Sequence, residues 1–343
     1  MNPRQKQLVL RALTRRDLRL NDLYGKRWVL CEKEVKASPP ALYLPGDLDR
    51  VQAVSELSSM EQERRRILGG QTEHAATVAY ELKNVDYFQG SLFKGAVRQP
   101  MVKNLDGLEG DTSKPVHLPY VSISSTLYGS FYFAHWLMDD LTLHLAAETT
   151  GSEIAILNPL IGHQPQYRQL FDIESQVLRR AHFDRVILFD DFGQNSYKRQ
   201  RYDELRSRLQ AKVQGKGHTR VFLRRSGGAA RSLTNHEEIE SAMEQRGFSI
   251  FDPMKGSVEE IAEHLCGAKL VVGVEGSHLS HALYAMADEG CLCVLQPPGR
   301  FMSILKDFTD CLGLRYAFVT GTEAGEGFSI DANNLNRLLD LAE

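Results

Sequence analysis

Residues 270–283 read LVVGVEGSHLSHAL. The run 270–274 is continuously apolar and rich in β-branched side chains, the pattern of a strand buried on both faces, as in a parallel sheet. Four turn residues follow, Glu275, Gly276, Ser277 and His278, and then an apolar helix pattern to residue 287. A strand that passes through a small-residue turn directly into a helix is the repeating unit of a parallel α/β sheet. Outward from this stretch the alternation continues both ways. RVFLRR (strand, from 220), a helix over 236–246, FSIFD (strand) and a helix over 258–268 precede it; CLCVLQ (strand, from 291), YAFVT (strand) and a helix over 333–341 follow.

The same alternation begins earlier, at residue 119. PYVSISS reads as a strand, 130–145 as a helix capped by Ser130, EIAILN as a strand, 167–181 as a helix, and RVILFDD as a strand. A charged stretch over 195–219, punctuated by Gly215 and Gly217, then holds the boundary between two domains, 1–205 and 206–343. The expected fold is α/β, with two Rossmann-like domains facing a cleft lined by strand carboxyl ends, where ligands bind in such sheets. Residues 41–117 are less legible. Within them 75–95 predicts short antiparallel strands around turns at Asn84 and Gly90, and 60–70 a surface helix stopped by paired glycines.

A chain of 343 residues is too long for one ordinary core and suits two. The formal charge of -3 gives no reason to place nucleic acid among its partners. Five scattered cysteines make no disulfide framework and fit a reducing cytoplasm, and Cys291 and Cys293 read as core residues of one strand. No run reaches the ~18 to 20 apolar residues of a membrane span. The first residues are basic, with Arg4, Lys6, Arg11, Arg15, Arg16 and Arg19 interleaved with leucines. They predict a solvated helix that could attach peripherally to the inner face of an anionic membrane.

Two groups of residues carry chemistry. The first is FYFAHWLMDDLTLHL, residues 131–145. At about 100° per residue, Phe133, Trp136, Leu137, Leu141 and Leu145 form a buried arc, while His135, Asp139 and Thr142 share a polar window. Asp140 and His144, four apart inside the apolar arc, are expected to satisfy each other. His135 and Asp139 are also four apart. A carboxylate beside an imidazole is what proton transfer near neutral pH requires, although such pairs also occur on plain helix surfaces.

The second group spans residues 221–239 and 270–283. Arg224 and Arg225 leave a strand at its carboxyl end, Gly227 and Gly228 allow a tight loop, and Arg231 brings back a third guanidinium, a set that suits a diphosphate. Gly276, Ser277 and His278 open a helix whose free N–H groups would favour an anion. Glu275 does not belong against phosphate; it suits ribose or sugar hydroxyls, or a cap for the helix behind it.

HWLMD, the arginine pair with Arg231 and the following NHEE, and VVGVEGSHLSHAL, in that order, resemble glycosyltransferase family 61, whose bacterial members include capsular polysaccharide biosynthesis proteins. The resemblance covers residues 75–298 and matches His135, Trp136, Asp139, Arg224, Arg225, Arg231, Asn235 and Glu238. It departs at the turn: Glu275 stands where the family usually has His, Ser277 where it has Ala, and His278 where it has Gly. The resemblance implies a GT-B type architecture, a nucleotide-sugar donor on the second domain, a saccharide acceptor, and inverting transfer with neither an obligatory metal nor another cofactor. In that reading Asp139 is the base and His135 positions it or the acceptor, while Arg224, Arg225, Arg231, Asn235 and residues 275–278 hold the donor. Asp139→Asn should then lower turnover by the ~10² to 10⁴ expected for loss of a general base and leave stability nearly intact. The pairs Asp139–Asp140 and Asp190–Asp191 are not read as metal ligands. A sugar-nucleotide epimerase, or a non-catalytic nucleotide or saccharide binder, would use the same residues differently.

Overall fold

The computed structural model describes residues 2–14, 19–103, 105, 108, 113–226 and 231–343; Arg15, Arg16, Gly227 and Gly228 lie outside the described residues. The chain divides into two compact units, residues 1–34 with 75–201, and residues 35–74 with 202–343. Segment 35–74, placed by the sequence reading with the first domain, groups with the second unit for a physical reason. Leu42 exchanges backbone hydrogen bonds with Tyr316 and Phe318 on the strand Arg315–Thr320, and Leu44 enters that unit's core. Glu63, buried, accepts from the Ser303 amide at 2.7 Å, and Arg66 pairs with Asp307 at 2.8 Å.

The second unit has a five-stranded, wholly parallel sheet. In space the strands run Ser249–Phe251, Arg220–Leu223, Leu270–Val274, Cys291–Gln296, Arg315–Thr320. Numbered along the chain that order is 2-1-3-4-5, a doubly wound arrangement whose ligand crevice lies at the carboxyl ends of strands 1 and 3. Every residue of Leu270–Val274 and Cys291–Gln296 is buried, as the continuous apolar runs require. Cys291 and Cys293 are free core thiols, and burial pushes Cys291 up to about 12.

The first unit differs from a Rossmann sheet. Its eight strands are mixed: Val97–Pro100, Ser91–Lys94 and Thr77–Phe88 form an antiparallel meander, and Lys26–Cys31 also pairs with Thr77–Phe88. Thr77–Phe88 pairs antiparallel with Ala181–Asp190, and from there Val116–Ile123, Glu153–Ile156 and Gln176–Val177 continue in parallel. Asn84 makes no turn; it sits inside the strand Thr77–Phe88 at φ 53°, and the reversal falls at Gln89 and Gly90. The helix expected over 167–181 is Gln164–Leu170; a turn and the short strand Gln176–Val177 follow, and residue 181 already begins the strand Ala181–Asp190. Among the described residues, no helix is long and apolar enough to cross a membrane. The N-terminal helix Pro3–Thr14 leaves Leu8, Val9 and Leu10 exposed, while Gln7 is buried and donates to the Ala96 carbonyl at 2.9 Å.

Candidate functional site

The segment expected as one helix over 130–145 is broken. It runs Leu127–Phe131, Phe133–His135, a π-helical turn Trp136–Asp140, and Leu141–Glu148. Its cap is Thr126, whose hydroxyl accepts from the Gly129 amide, and not Ser130. A π turn inside a helix widens it locally and often marks a functional position. Here it carries both aspartates, each buried and each turned to different partners.

Asp140 does not pair with His144. Its Oδ1 accepts from the Thr126 amide at 2.9 Å and the Thr126 hydroxyl at 2.7 Å, and its Oδ2 from the Asn158 amide group at 3.2 Å. A side chain on Gly129 would collide with this carboxyl. Burial pushes Asp140 well above the usual carboxylate range. Its work is to tie the helix entrance to the strand that ends before Asn158. His144 instead reaches Glu148 at 3.5 Å.

Asp139 is the centre of a charged network. Its Oδ2 meets His135 Nδ1 at 2.7 Å, and its Oδ1 accepts from Lys198 Nζ at 2.8 Å. Lys198 is completely buried and also donates to the Asp191 carbonyl at 2.6 Å, with the Asp191 carboxylate 3.4 Å away. Arg201 clamps Asp191 with two bonds of 2.8 Å, and Thr77 and Asn195 complete the shell. Asp191 is therefore no mere strand end. Burial works to raise the Asp139 carboxyl, but Lys198 and His135 outweigh it and hold its pKa at about 2. Burial likewise works against the Lys198 ammonium, and Asp139 and Asp191 outweigh it, so its pKa rises. A carboxylate that binds protons so weakly is a poor base at neutral pH. It is well suited to fix the proton of His135 on Nδ1, which leaves the lone pair on Nε2.

Around His135 lie aromatic rings. Tyr128 and Tyr132 have ring centroids 5.5 and 6.0 Å from the imidazole, and Phe192 meets Tyr128 edge-on at 6.2 Å. Tyr128 and Phe192 are 47% and 58% exposed, unusual for rings of this size so close to a buried ion pair.

In the second unit, parallel register pairs Leu223 with Gly273, so two residues on Arg225 lies beside Glu275 at the crevice end of strands 1 and 3. Of the residues expected to hold a diphosphate, several are occupied. Arg224 turns to Glu240 in a bidentate pair, one bond being 2.7 Å. Arg231 donates to the Glu275 carboxylate at 2.8 Å, and Arg300, which the sequence reading missed, does so at 2.9 Å. Asn235 bonds Glu238 and both backbone groups of Ile330, an anchor for that loop. Arg225 remains half-buried, and its Nε makes no hydrogen bond among the described residues. Burial, then Arg231 and Arg300, push its pKa down against the pull of Glu275. Arg231 and Arg300 thus bond one carboxylate with Arg225 close enough to feel all three, a cluster of positive charge that an anion would relieve.

The turn itself is tight: a side chain on Gly276 would strike the Arg225 guanidinium. Burial, followed by Arg225 and Arg231, drives His278 down to about 3, so its ring is neutral. The helix behind the turn is only Ser277–Leu279 in 3-10 form and Ser280–Ala285, too short to contribute much dipole. The arginines, more than the helix end, supply the positive charge here. Alongside lies a cavity of about 750 Å³ lined by Arg224, Arg225, Arg231, His236, Asp252 and Lys255.

Lys198 and Arg300 are the residues sequence reasoning missed. Lys198 lies in a highly charged segment indistinguishable by composition from a solvated helix, and Arg300 follows a proline pair that reads only as a loop. Comparison with curated proteins finds no match. Residues 133–294 match the family model Glycosyltransferase 61, a span that starts at the broken helix and takes in the arginine corner and the Glu275 turn. Residues 133–294 are thus similar to glycosyltransferase family 61, and on that match the protein is a glycosyltransferase.

Proposed function

We propose that this enzyme transfers a sugar from a nucleotide-diphosphate donor to a saccharide acceptor, with inversion and without an obligatory metal, in surface or capsular polysaccharide synthesis. The observation that carries the reading is the half-buried Arg225 beside Arg231, Arg300 and a single carboxylate, at the crevice of a 2-1-3-4-5 sheet. Arg225 takes the donor diphosphate, and the adjoining cavity takes the rest of the nucleotide.

On the first unit His135 is the base, in place of Asp139. Its Nε2 takes the proton of the acceptor hydroxyl as that oxygen attacks the anomeric carbon, and the bond from that carbon to the diphosphate breaks. The departing electron pair stays on the diphosphate, against Arg225. Asp139 holds the imidazole by Nδ1 and stabilises the imidazolium. Tyr128 and Phe192 offer the apolar faces on which a saccharide ring stacks.

Purified protein incubated with a panel of nucleotide sugars and saccharide acceptors tests this by release of nucleoside diphosphate and formation of a new glycoside. Release that requires an acceptor and is lost in His135→Ala supports the proposal. Conversion of a nucleotide sugar with no acceptor present would favour an epimerase.

A further inference from the structure

The first unit carries a second cluster that the transfer reaction does not use. His117 on Val116–Ile123 and His182 on Ala181–Asp190 are direct partners in the parallel ladder. Asp184 follows His182 by two residues and so shares its face. On the other flank, Asp86 is the antiparallel partner of His182. The neighbours Leu118, Phe183 and Val85 are buried in the core, so the four polar side chains stand together on the opposite face of the sheet. His117 Nε2 is 2.8 Å from Asp184 Oδ1, His182 Nε2 is 3.7 Å from the same oxygen, and one ligand atom from each of the three lies within 4.8 Å of the others.

We propose that His117, His182 and Asp184 form a binding site for a divalent transition-metal ion, zinc above all, with Asp86 as the carboxylate that orients His182. Three ligands at ~2.0–2.2 Å from one ion in tetrahedral array stand about 3.4 Å apart. The separations of 2.8 and 3.7 Å bracket that spacing, so small side-chain rotations bring the three donors to one point. Two imidazoles and one carboxylate suit zinc and its first-row neighbours and exclude magnesium and calcium, which take oxygen ligands. His182 Nδ1 meets Asp86 Oδ1 at 2.8 Å, the outer carboxylate that metal-bound histidines usually have. The fourth position falls to water.

The site is remote from the transfer chemistry. At ~3.3 Å per residue, His182 and Asp191 are roughly 30 Å apart along the strand. The ion is therefore a clamp between adjacent strands and not a participant in sugar transfer. Its ligands are 65 and two residues apart in the chain, which is why no metal motif is visible in the sequence.

The test uses the full chain, stripped with a chelator and titrated calorimetrically with zinc chloride, and with cobalt(II) followed by its visible absorption. The expected result is one ion per chain, a tetrahedral cobalt spectrum and a raised melting temperature. His117→Ala and His182→Ala should each weaken binding at least tenfold, Asp86→Asn by roughly 10 to 100-fold, and His218→Ala not at all. These side chains lie off the core, and the titration of the stripped wild type needs no variant. Wild-type affinity weaker than about 100 µM, or binding undiminished in His117→Ala/His182→Ala, overturns the assignment.

Discussion

Asp139→Asn removes one charge from a network in which Lys198 is completely buried. Breaking a buried ion pair from one side costs about 3–5 kcal/mol, because the remaining charge is stranded. Here Lys198 keeps the Asp191 carbonyl at 2.6 Å and its carboxylate at 3.4 Å, so the cost falls below that range. The depression of the Asp139 pKa from 3.8 to about 2 corresponds to about 2 kcal/mol of preferential stabilisation of the carboxylate. A loss of roughly 2–3 kcal/mol at pH 7 is expected, in contrast to the intact stability the sequence reading assigns to this variant. The sign with pH follows from the depressed folded value: the contribution is complete above pH 4, fades as the pH falls towards 2, and is missing from the variant throughout. Both tryptophans, Trp28 and Trp136, lie in the first unit, so their fluorescence in urea reports its unfolding separately. Lys198→Met in the Asn background removes the stranded cation and should recover part of the loss. A urea midpoint unchanged by Asp139→Asn at pH 7, or a double variant no more stable than the single one, would refute the reasoning.

His135→Gln should lower turnover by about 10² to 10⁴, the range for loss of a general base, with donor affinity unchanged; near-native turnover would return the base role to another group. Gly129→Ala should destabilise by about 1–3 kcal/mol, because the added methyl overpacks against the Asp140 carboxyl; thermal melting of the variant checks it. His278, held down to about 3, is neutral in the fold while the unfolded chain takes up a proton below pH 6.5. Its contribution is therefore complete above pH 6.5 and declines as the pH falls towards 3, so circular-dichroism melting of His278→Asn should depend less on pH across that window than the wild type does.

Where the sequence is informative, the signal is local. The continuous apolar runs 270–274 and 291–295 give buried parallel strands because no polar residue interrupts them. Ser59 before residues 60–68 and Gly69 after them mark a real helix, since cap and stop are local chemistry. Long-range choices are less visible. Nothing near Asn84 reveals that a residue at positive φ would be carried inside a 12-residue strand, because the ladder partners that hold it come from elsewhere in the chain. The spacing of His135 and Asp139 correctly brings them into contact, yet which of the two is suited to take a proton depends on Lys198, 59 residues away. The arginine corner is similar: strand ends place Arg225 and Glu275 side by side, whereas the diversion of Arg224 to Glu240 and the arrival of Arg300 are tertiary events.

Isothermal titration of UDP, GDP, ADP and dTDP, with the matching nucleosides, into wild type, Arg225→Ala and Arg224→Ala tests the central claim most directly. The account predicts that at least one diphosphate binds the wild type, that Arg225→Ala weakens it by about 1.5–3 kcal/mol, the range for a hydrogen bond to a charged group, and that Arg224→Ala, already tied to Glu240, changes it far less. Binding of no diphosphate, or an equal loss for nucleoside and diphosphate on removing Arg225, would contradict it.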